Sequence, residues 1–347
     1  MFALSKSPNR TSLPTRVAFV CGDSGQFCEL SRTLRRTVGS VATADRLQEV
    51  GAQDAHPLVA VHYDTLTPSE RQEMVRLSRR AASPVLLLFE NCKAEDFVDL
   101  FGARFLTNML VVNSQGVDVS DLLVTVQKIR SGDIFGLEKY FVWGVEPRSL
   151  RVTSSDERGA VLDEIAEYAT ERGVGSRLRV AIRTVADEFL SNAIYNAPVG
   201  PDGAYRYAVW PRTAAVRLEA HEAAVVRYCC DGRRFGISIA DPFGSLSPGH
   251  LQDHLARVFR RGEDQVNQSG GGAGVGLYQV FESLSHFVIN IEPGVRTEMI
   301  GLIDVSGSYR TFAASGKSFN IFVRGDSTRP PPPPEAAPHA TNPAREG

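Results

Sequence analysis

The sequence predicts an α/β chain built in two units, and three observations carry that reading. Unbroken apolar runs recur with helix-forming material between them over residues 15–130. Helical periodicity, a hairpin signal and a glycine run follow one another over residues 153–325, and a Gly- and Pro-bearing stretch at 131–152 separates the two. A length of 347 residues with 43% hydrophobic side chains is sufficient for two separate cores.

In the first unit, residues 17–20, 58–61, 85–89 and 110–112 read as strands. Each run is continuous rather than alternating, as in strands covered on both faces. Helices over 70–80, 94–101 and 120–129 supply the cover. The result resembles a response-regulator receiver domain, a flavodoxin-like doubly wound fold, over nearly the whole unit. A phosphorylatable receiver holds Mg²⁺ in an acidic cluster and carries an Asp after the third strand, a hydroxyl after the fourth and a Lys after the fifth. Here Asp23 takes one acidic place, but His62 stands at the phosphoacceptor position with Asp64 two residues later. Leu88 or Phe89 replaces the hydroxyl and Gln115 the Lys. Nothing would then neutralise charge on a transferring phosphoryl group, which implies a pseudoreceiver that docks proteins. His62 reads as a polar residue at a strand end rather than a phosphohistidine.

Residues 131–152 carry Gly132, Gly136, Gly144 and Pro147 and read as a connector, with Phe141, Val142 and Trp143 expected to pack against something. Residues 1–14 read as a disordered N-terminus, and residues 326–347, with five consecutive prolines at 330–334, as a disordered tail rather than a polyproline ligand.

Charge and apolar run length exclude whole classes of function. Lys and Arg total 38 against 40 Asp and Glu, a net charge of −2, so no bulk attraction holds the chain on nucleic acid or an anionic membrane. The apolar start, residues 1–4, is shorter than a signal peptide requires, and runs such as Val85–Phe89 fall far below a membrane span. A cytoplasmic location is expected. Five cysteines without a CxxC pair read as reduced, mostly buried thiols.

The second unit opens with Ser154, Ser155 and Asp156 as N-caps of a helix through Ala160, Ile165 and Tyr168, ending near Gly173. A second helix runs over 176–196, with Leu178, Ile182, Val185 and Phe189 on its apolar face. Glu188, Asn192 and Asn196 fall four apart beside that face. Strands at 225–229 and 235–240 meet across Asp231-Gly232, a hairpin signal, and the second delivers Asp241 before Pro242-Phe243-Gly244. A glycine run containing Gly270, Gly271, Gly272, Gly274 and Gly276 then enters a helix through Leu277, Val280, Phe281 and Leu284. Such a run lets backbone N–H groups approach phosphate oxygens, although no Lys-Ser/Thr pair follows it as in a Walker A loop. Taken singly, the polar row is a solvated helix edge and the glycine run a linker.

In this order the pieces are far more specific, and they resemble the GHKL (Bergerat-fold) ATPase domain of histidine kinases, anti-sigma-factor kinases, gyrase-type topoisomerases and MutL. The N box matches Glu188-Phe189-Leu190-Ser191-Asn192-Ala193, the G1 box residues 241–244, and the G2 box Gly272, Gly274, Gly276 and Leu277. Residues 255–261 look like the F-box stretch that opens the ATP lid. The resemblance implies a two-layer α/β sandwich completed by strands at 286–291, 297–304 and 319–324. It also implies bound ATP and Mg²⁺. Asn192 would ligate the metal and Asp241 would accept from the adenine amino group. Glu188 would orient or deprotonate the attacking water or hydroxyl, and the G2 glycines would cradle the phosphates. Asn196 and Gly244 complete the implied nucleotide site, with Arg257, Arg260 and Arg261 as further cations near the γ-phosphate.

The chain departs from the family at Phe243 and Ser245, which stand where G1 glycines are usual; Phe243 would crowd the adenine or stack on it. Asn196 replaces a frequent basic residue or His. None of the seven histidines lies in a phosphotransfer helix before the N box, so a conventional autophosphorylating histidine kinase is excluded. The resemblance therefore points to an anti-sigma-kinase-like signalling protein that phosphorylates or captures a protein partner, such as a response regulator or sigma-factor regulator, and it leaves a homodimer open. The rivals are a non-enzymatic adaptor with a degenerate nucleotide site and the ATPase half of a split histidine kinase.

Overall fold

A computed structural model describes residues 16–20, 25–49, 58–80, 84–90, 100–101, 106–113, 116–117, 119–261 and 275–325. Both expected tails, Asp23, Gln115, Gly272, Gly274 and all but the last two residues of the expected 94–101 helix lie outside the described residues, as do the side chains of Arg260 and Arg261.

In the N-terminal half, β1 (Arg16–Val20), β2 (Ser40–Ala44), β3 (Leu58–His62), β4 (Val85–Phe89) and β5 (Asn108–Asn113) are parallel, in the order β2-β1-β3-β4-β5, and the short β6 (Gly116–Val117) pairs antiparallel with β5. Strand alternation supplies both faces: Leu86 and Leu88 pack with Leu34, Leu122 and Val126 of helices Gly25–Val38 and Val119–Ser131. Leu87 and Phe89 instead meet Met74 of helix Pro68–Arg80 on the opposite face. β2 is absent from the sequence reading because it buries only Val41 and so carries no apolar run.

The C-terminal half contributes β7 (Arg148–Val152), β8 (Ala224–Cys230), β9 (Arg234–Asp241), β10 (His286–Glu292), β11 (Arg296–Asp304) and β12 (Ser318–Val323). Their order is β12-β10-β11-β9-β8-β7, antiparallel except for β10 and β12. Helices Arg158–Glu171, Ser176–Ser191 and Val275–Glu282 send their apolar residues to one face. Helix Arg158–Glu171 ends as expected at Gly173, whose φ of +72° permits the reversal and whose N–H donates to Thr170 O at 2.9 Å.

The two halves share part of their core, while a second apolar cluster lies wholly in the N-terminal half. β12 pairs antiparallel with β5 through Phe319 opposite Met109 and Asn320 opposite Asn108, which joins the halves into one mixed sheet. Phe101 covers that seam, its ring 5.0 Å from Phe319 and 6.1 Å from Phe281, and one apolar cluster continues across it.

The presumed connector is also built into the fold. Ile134, Phe135, Leu137 and Tyr140 fill the back of the C-terminal sheet against Val288, Ile300, Leu302 and Phe322, and β7 is its edge strand. Gly236 leaves room for the Phe141 ring, 2.5 Å from where a β-carbon would stand. The packing expectation therefore holds for Phe141, whereas Val142 and Trp143 project into solvent from the following turn.

A buried polar joint crosses the same region. Arg234 on β9 grips Asp121 of helix Val119–Ser131 with two bonds of 2.6 and 2.9 Å, and His286 Nδ1 lies 3.4 Å from the same carboxylate. Lys128 donates to Tyr140 Oη at 2.9 Å and Asn290 Oδ1 at 3.2 Å. Among the described residues no helix is long and apolar enough to cross a membrane, and Cys229 and Cys230 are buried free thiols.

Candidate functional site

Helix Ser176–Ser191 buries Leu178, Ile182, Val185 and Phe189, as their spacing requires. It then widens into a π-helical turn over Asn192–Asn196, closed by the Ala197 N–H to Asn192 O bond of 2.9 Å. Glu188, Asn192 and Asn196 are half-buried and line a cavity, so they do not form a solvated helix edge. The row is bonded end to end: Asn196 Nδ2 donates to Asn192 Oδ1 at 2.6 Å, and Asn192 Nδ2 to Glu188 Oε1 at 3.4 Å.

Asp241 reaches the same cavity as the last residue of β9, opposite Thr297 of β11. Its Oδ1 accepts from the N–H groups of Phe243 at 3.0 Å and Gly244 at 3.3 Å. Burial pushes its pKa up to about 6, and those two N–H donors offset only part of the effect. Gly244 shapes the turn behind it: φ is +58°, and a β-carbon would strike the backbone of Glu292, Val295 and Arg296. Phe243 is half-buried with the Arg206 guanidinium 5.6 Å from its ring centroid, and it is not among the residues lining the cavity. Ser245 does line it and donates to Ala197 O at 2.8 Å.

Gly276 closes the set. A β-carbon there would stand 2.5 Å from the Glu188 carboxylate, so the last glycine of the run and the N-box match meet in space, with Leu277 beside them. The cavity, about 970 Å³, thus collects Glu188, Asn192, Asn196, Asp241, Gly276 and Leu277 from three segments far apart in sequence. A second, open hollow of about 550 Å³ lies between helices Arg158–Glu171 and Ser176–Ser191, where Arg158 and Asp187 already neutralise one another.

Several lining residues escaped the sequence reading. Tyr205, Trp210 and Arg212 come from an irregular stretch without periodicity, and Thr297 and Met299 face the cavity from β11. His250 and His254 were legible in principle. With Arg257 they fall four and three apart on helix Pro248–Arg261, opposite buried Leu255 and Ala256. Among the described residues no three His, Cys, Asp or Glu converge as a metal-ligand group.

In the N-terminal half, His62 is buried at the end of β3, its Nε2 3.6 Å from Asp64 and 3.5 Å from Glu90. Asp64 accepts from the Glu90 N–H at 2.6 Å, and burial, which would raise its pKa, is outweighed by the His62 and Glu90 contacts that lower it. Leu88 and Phe89 are fully buried.

No protein-family profile matches the chain, and neither does any curated protein. Among solved structures it is similar to the response regulator DrrB of Thermotoga maritima, an OmpR/PhoB homologue, at 16% identity and a TM-score of 0.30, over 45% of this chain and 74% of that one.

Proposed function

We propose that this chain binds Mg-ATP in the cavity between helix Ser176–Ser191 and the ends of β9 and β11, and phosphorylates or captures a protein partner in a nucleotide-dependent way. The receiver-like half would act as a protein-docking module that takes no phosphate. The observation that carries the reading is the convergence of Glu188, Asn192, Asp241 and Gly276 on one cavity.

The residues present fit the nucleotide and its metal. Thr297 lies on the wall beside Asp241, so this end offers a hydroxyl and a carboxylate. Those groups suit the amino-bearing edge of adenine. Gly276 lets the N-terminal turn of helix Val275–Glu282 lie close against the Glu188 carboxylate, and the backbone N–H groups of such a turn favour phosphate. Asn192 supplies an amide oxygen, the hard donor that Mg²⁺ takes alongside phosphate oxygens and water. Bound Mg-ATP would supply a transferable phosphoryl group whose charge the metal partly neutralises.

The remaining work belongs to side chains of this chain. Asn196 orients the Asn192 amide, and Asn192 in turn donates to Glu188 Oε1. Glu188 Oε2 takes no part in that chain of bonds and can accept the proton of an attacking hydroxyl or water. Asp241 and Thr297 hold the base. Titrating the purified protein with ATP, with and without Mg²⁺, tests the reading: saturable binding tightened by Mg²⁺ is expected, and no binding in either condition overturns it.

A further inference from the structure

Three basic side chains, Arg212, His250 and His254, border the cavity with no role in the site just described, and Arg257, expected near the γ-phosphate, borders it with them. On one wall His250, His254 and Arg257 present a single face of helix Pro248–Arg261, whose other side buries Leu255 and Ala256. Arg212 stands on another wall, and it is fixed in place. Its Nη1 donates to Ser191 O at 2.8 Å, one residue before Asn192, and its guanidinium carbon lies 5.2 Å from the Tyr195 ring centroid. The Tyr195 hydroxyl ties the same segment down by donating to Arg212 O at 3.0 Å and Ala214 O at 2.8 Å. One N–H of five is used on Ser191, which leaves a charged, oriented fork at the cavity beside the metal-ligand residue.

Resting on the Mg-ATP reading, we propose that Arg212 is a fixed polyphosphate-binding cation, and that with the His250, His254 and Arg257 row it selects a triphosphate over less charged nucleotides. The lining has two carboxylates, Glu188 and Asp241, and Asp241 faces the base. A ligand of low charge would leave Arg212 and Arg257 uncompensated, whereas a chain of phosphates can meet both guanidinium groups.

The test is calorimetric titration of the full chain and of Arg212→Ala and Arg212→Lys with Mg-ATP, Mg-ADP and adenosine. Arg212→Ala is expected to weaken Mg-ATP by about tenfold to a hundredfold, Mg-ADP by less and adenosine hardly at all, as loss of a charge-assisted bond predicts. Arg212→Lys should recover part of the Mg-ATP loss. An equal loss for all three ligands would mark Arg212 as a structural prop and overturn the proposal, as would unchanged Mg-ATP affinity. Failure of the parent protein to bind any of the three overturns the nucleotide reading itself, and this proposal with it.

Discussion

A β-carbon at residue 276 would lie 2.5 Å from Glu188 Oε2, so the first turn of helix Val275–Glu282 fits over that carboxylate only because Gly276 has no side chain. The atoms it would meet are the free end of a flexible side chain, which can move at little cost to the fold. Gly276→Ala should therefore leave the melting temperature unchanged or slightly raised, since Ala favours a helix by up to ~1 kcal/mol. Turnover of ATP or transfer to a partner should fall by about tenfold or more as Glu188 is displaced. Thermal melting run beside a radiolabel assay separates the two effects, and parental turnover in this variant would show that the position of Glu188 does not matter.

Burying the Asp241 carboxylate costs stability. Its folded pKa of about 6 lies above the unfolded value of 3.8, so the native state holds the extra proton between those pH values. Stability contributed by this group is present at low pH and declines as pH rises to about 6, where the cost of burying the charge is complete. Asp241→Asn keeps an oxygen for the Phe243 and Gly244 N–H groups and removes the charge. It should stabilise the protein at pH 7.5 by at most ~3 kcal/mol, with no gain at pH 4. Adenine nucleotide affinity should drop about tenfold to a hundredfold. Denaturant melts at the two pH values and one titration measure all three quantities; stabilisation without loss of affinity would remove Asp241 from the base site.

The Asp121–Arg234 joint predicts how tightly the halves cooperate. Both side chains are nearly buried, at 10% and 12% exposure, and burial opposes the Asp121 charge. His286 and Arg234 overcome that penalty and hold its pKa well below the carboxylate range. Its contribution is present above the unfolded value of 3.8 and is lost as pH falls below it. Asp121→Ala removes the carboxylate from beside the buried Arg234 charge and should cost ~3–5 kcal/mol. The double variant Asp121→Leu, Arg234→Leu should cost less than the sum of the single changes. Additive losses in chemical denaturation would mean the pair is not coupled.

What the sequence revealed followed from period and punctuation. The parallel strands β1, β3, β4 and β5 were legible because burial on both faces forces continuous apolar runs, and the row of Glu188, Asn192 and Asn196 because a helix repeats near four residues. β2 was hidden because an edge strand with one buried side chain carries no such signal. The seam between Phe319 and Met109 joins residues more than 200 positions apart, and neither run announces its neighbour. Arg212 and Trp210 reach the cavity from irregular backbone held by Tyr195, Arg206 and Ser245, contacts that no local pattern encodes.

The sharpest separation between an enzyme and an adaptor falls on Glu188→Gln. The amide keeps the shape of the side chain and can still accept from Asn192 Nδ2, which donates to Oε1 at 3.4 Å in the parent. It removes the base. If Glu188 acts on the attacking hydroxyl or water, ground-state contacts survive the change while the transition state loses its proton acceptor. Mg-ATP affinity should then stay within about threefold of the parent, and phosphoryl transfer or hydrolysis should fall by about 10²–10⁴-fold. An adaptor would show no turnover in either form, and its capture of a partner would be indifferent to residue 188. Label transfer from γ-labelled ATP to proteins retained by the chain, compared between parent and variant at equal nucleotide occupancy, reads the difference directly. Transfer that persists undiminished in the Gln variant would exclude Glu188 as the base and assign the proton to another acceptor on the cavity wall, where His254 is the nearest alternative in chemistry.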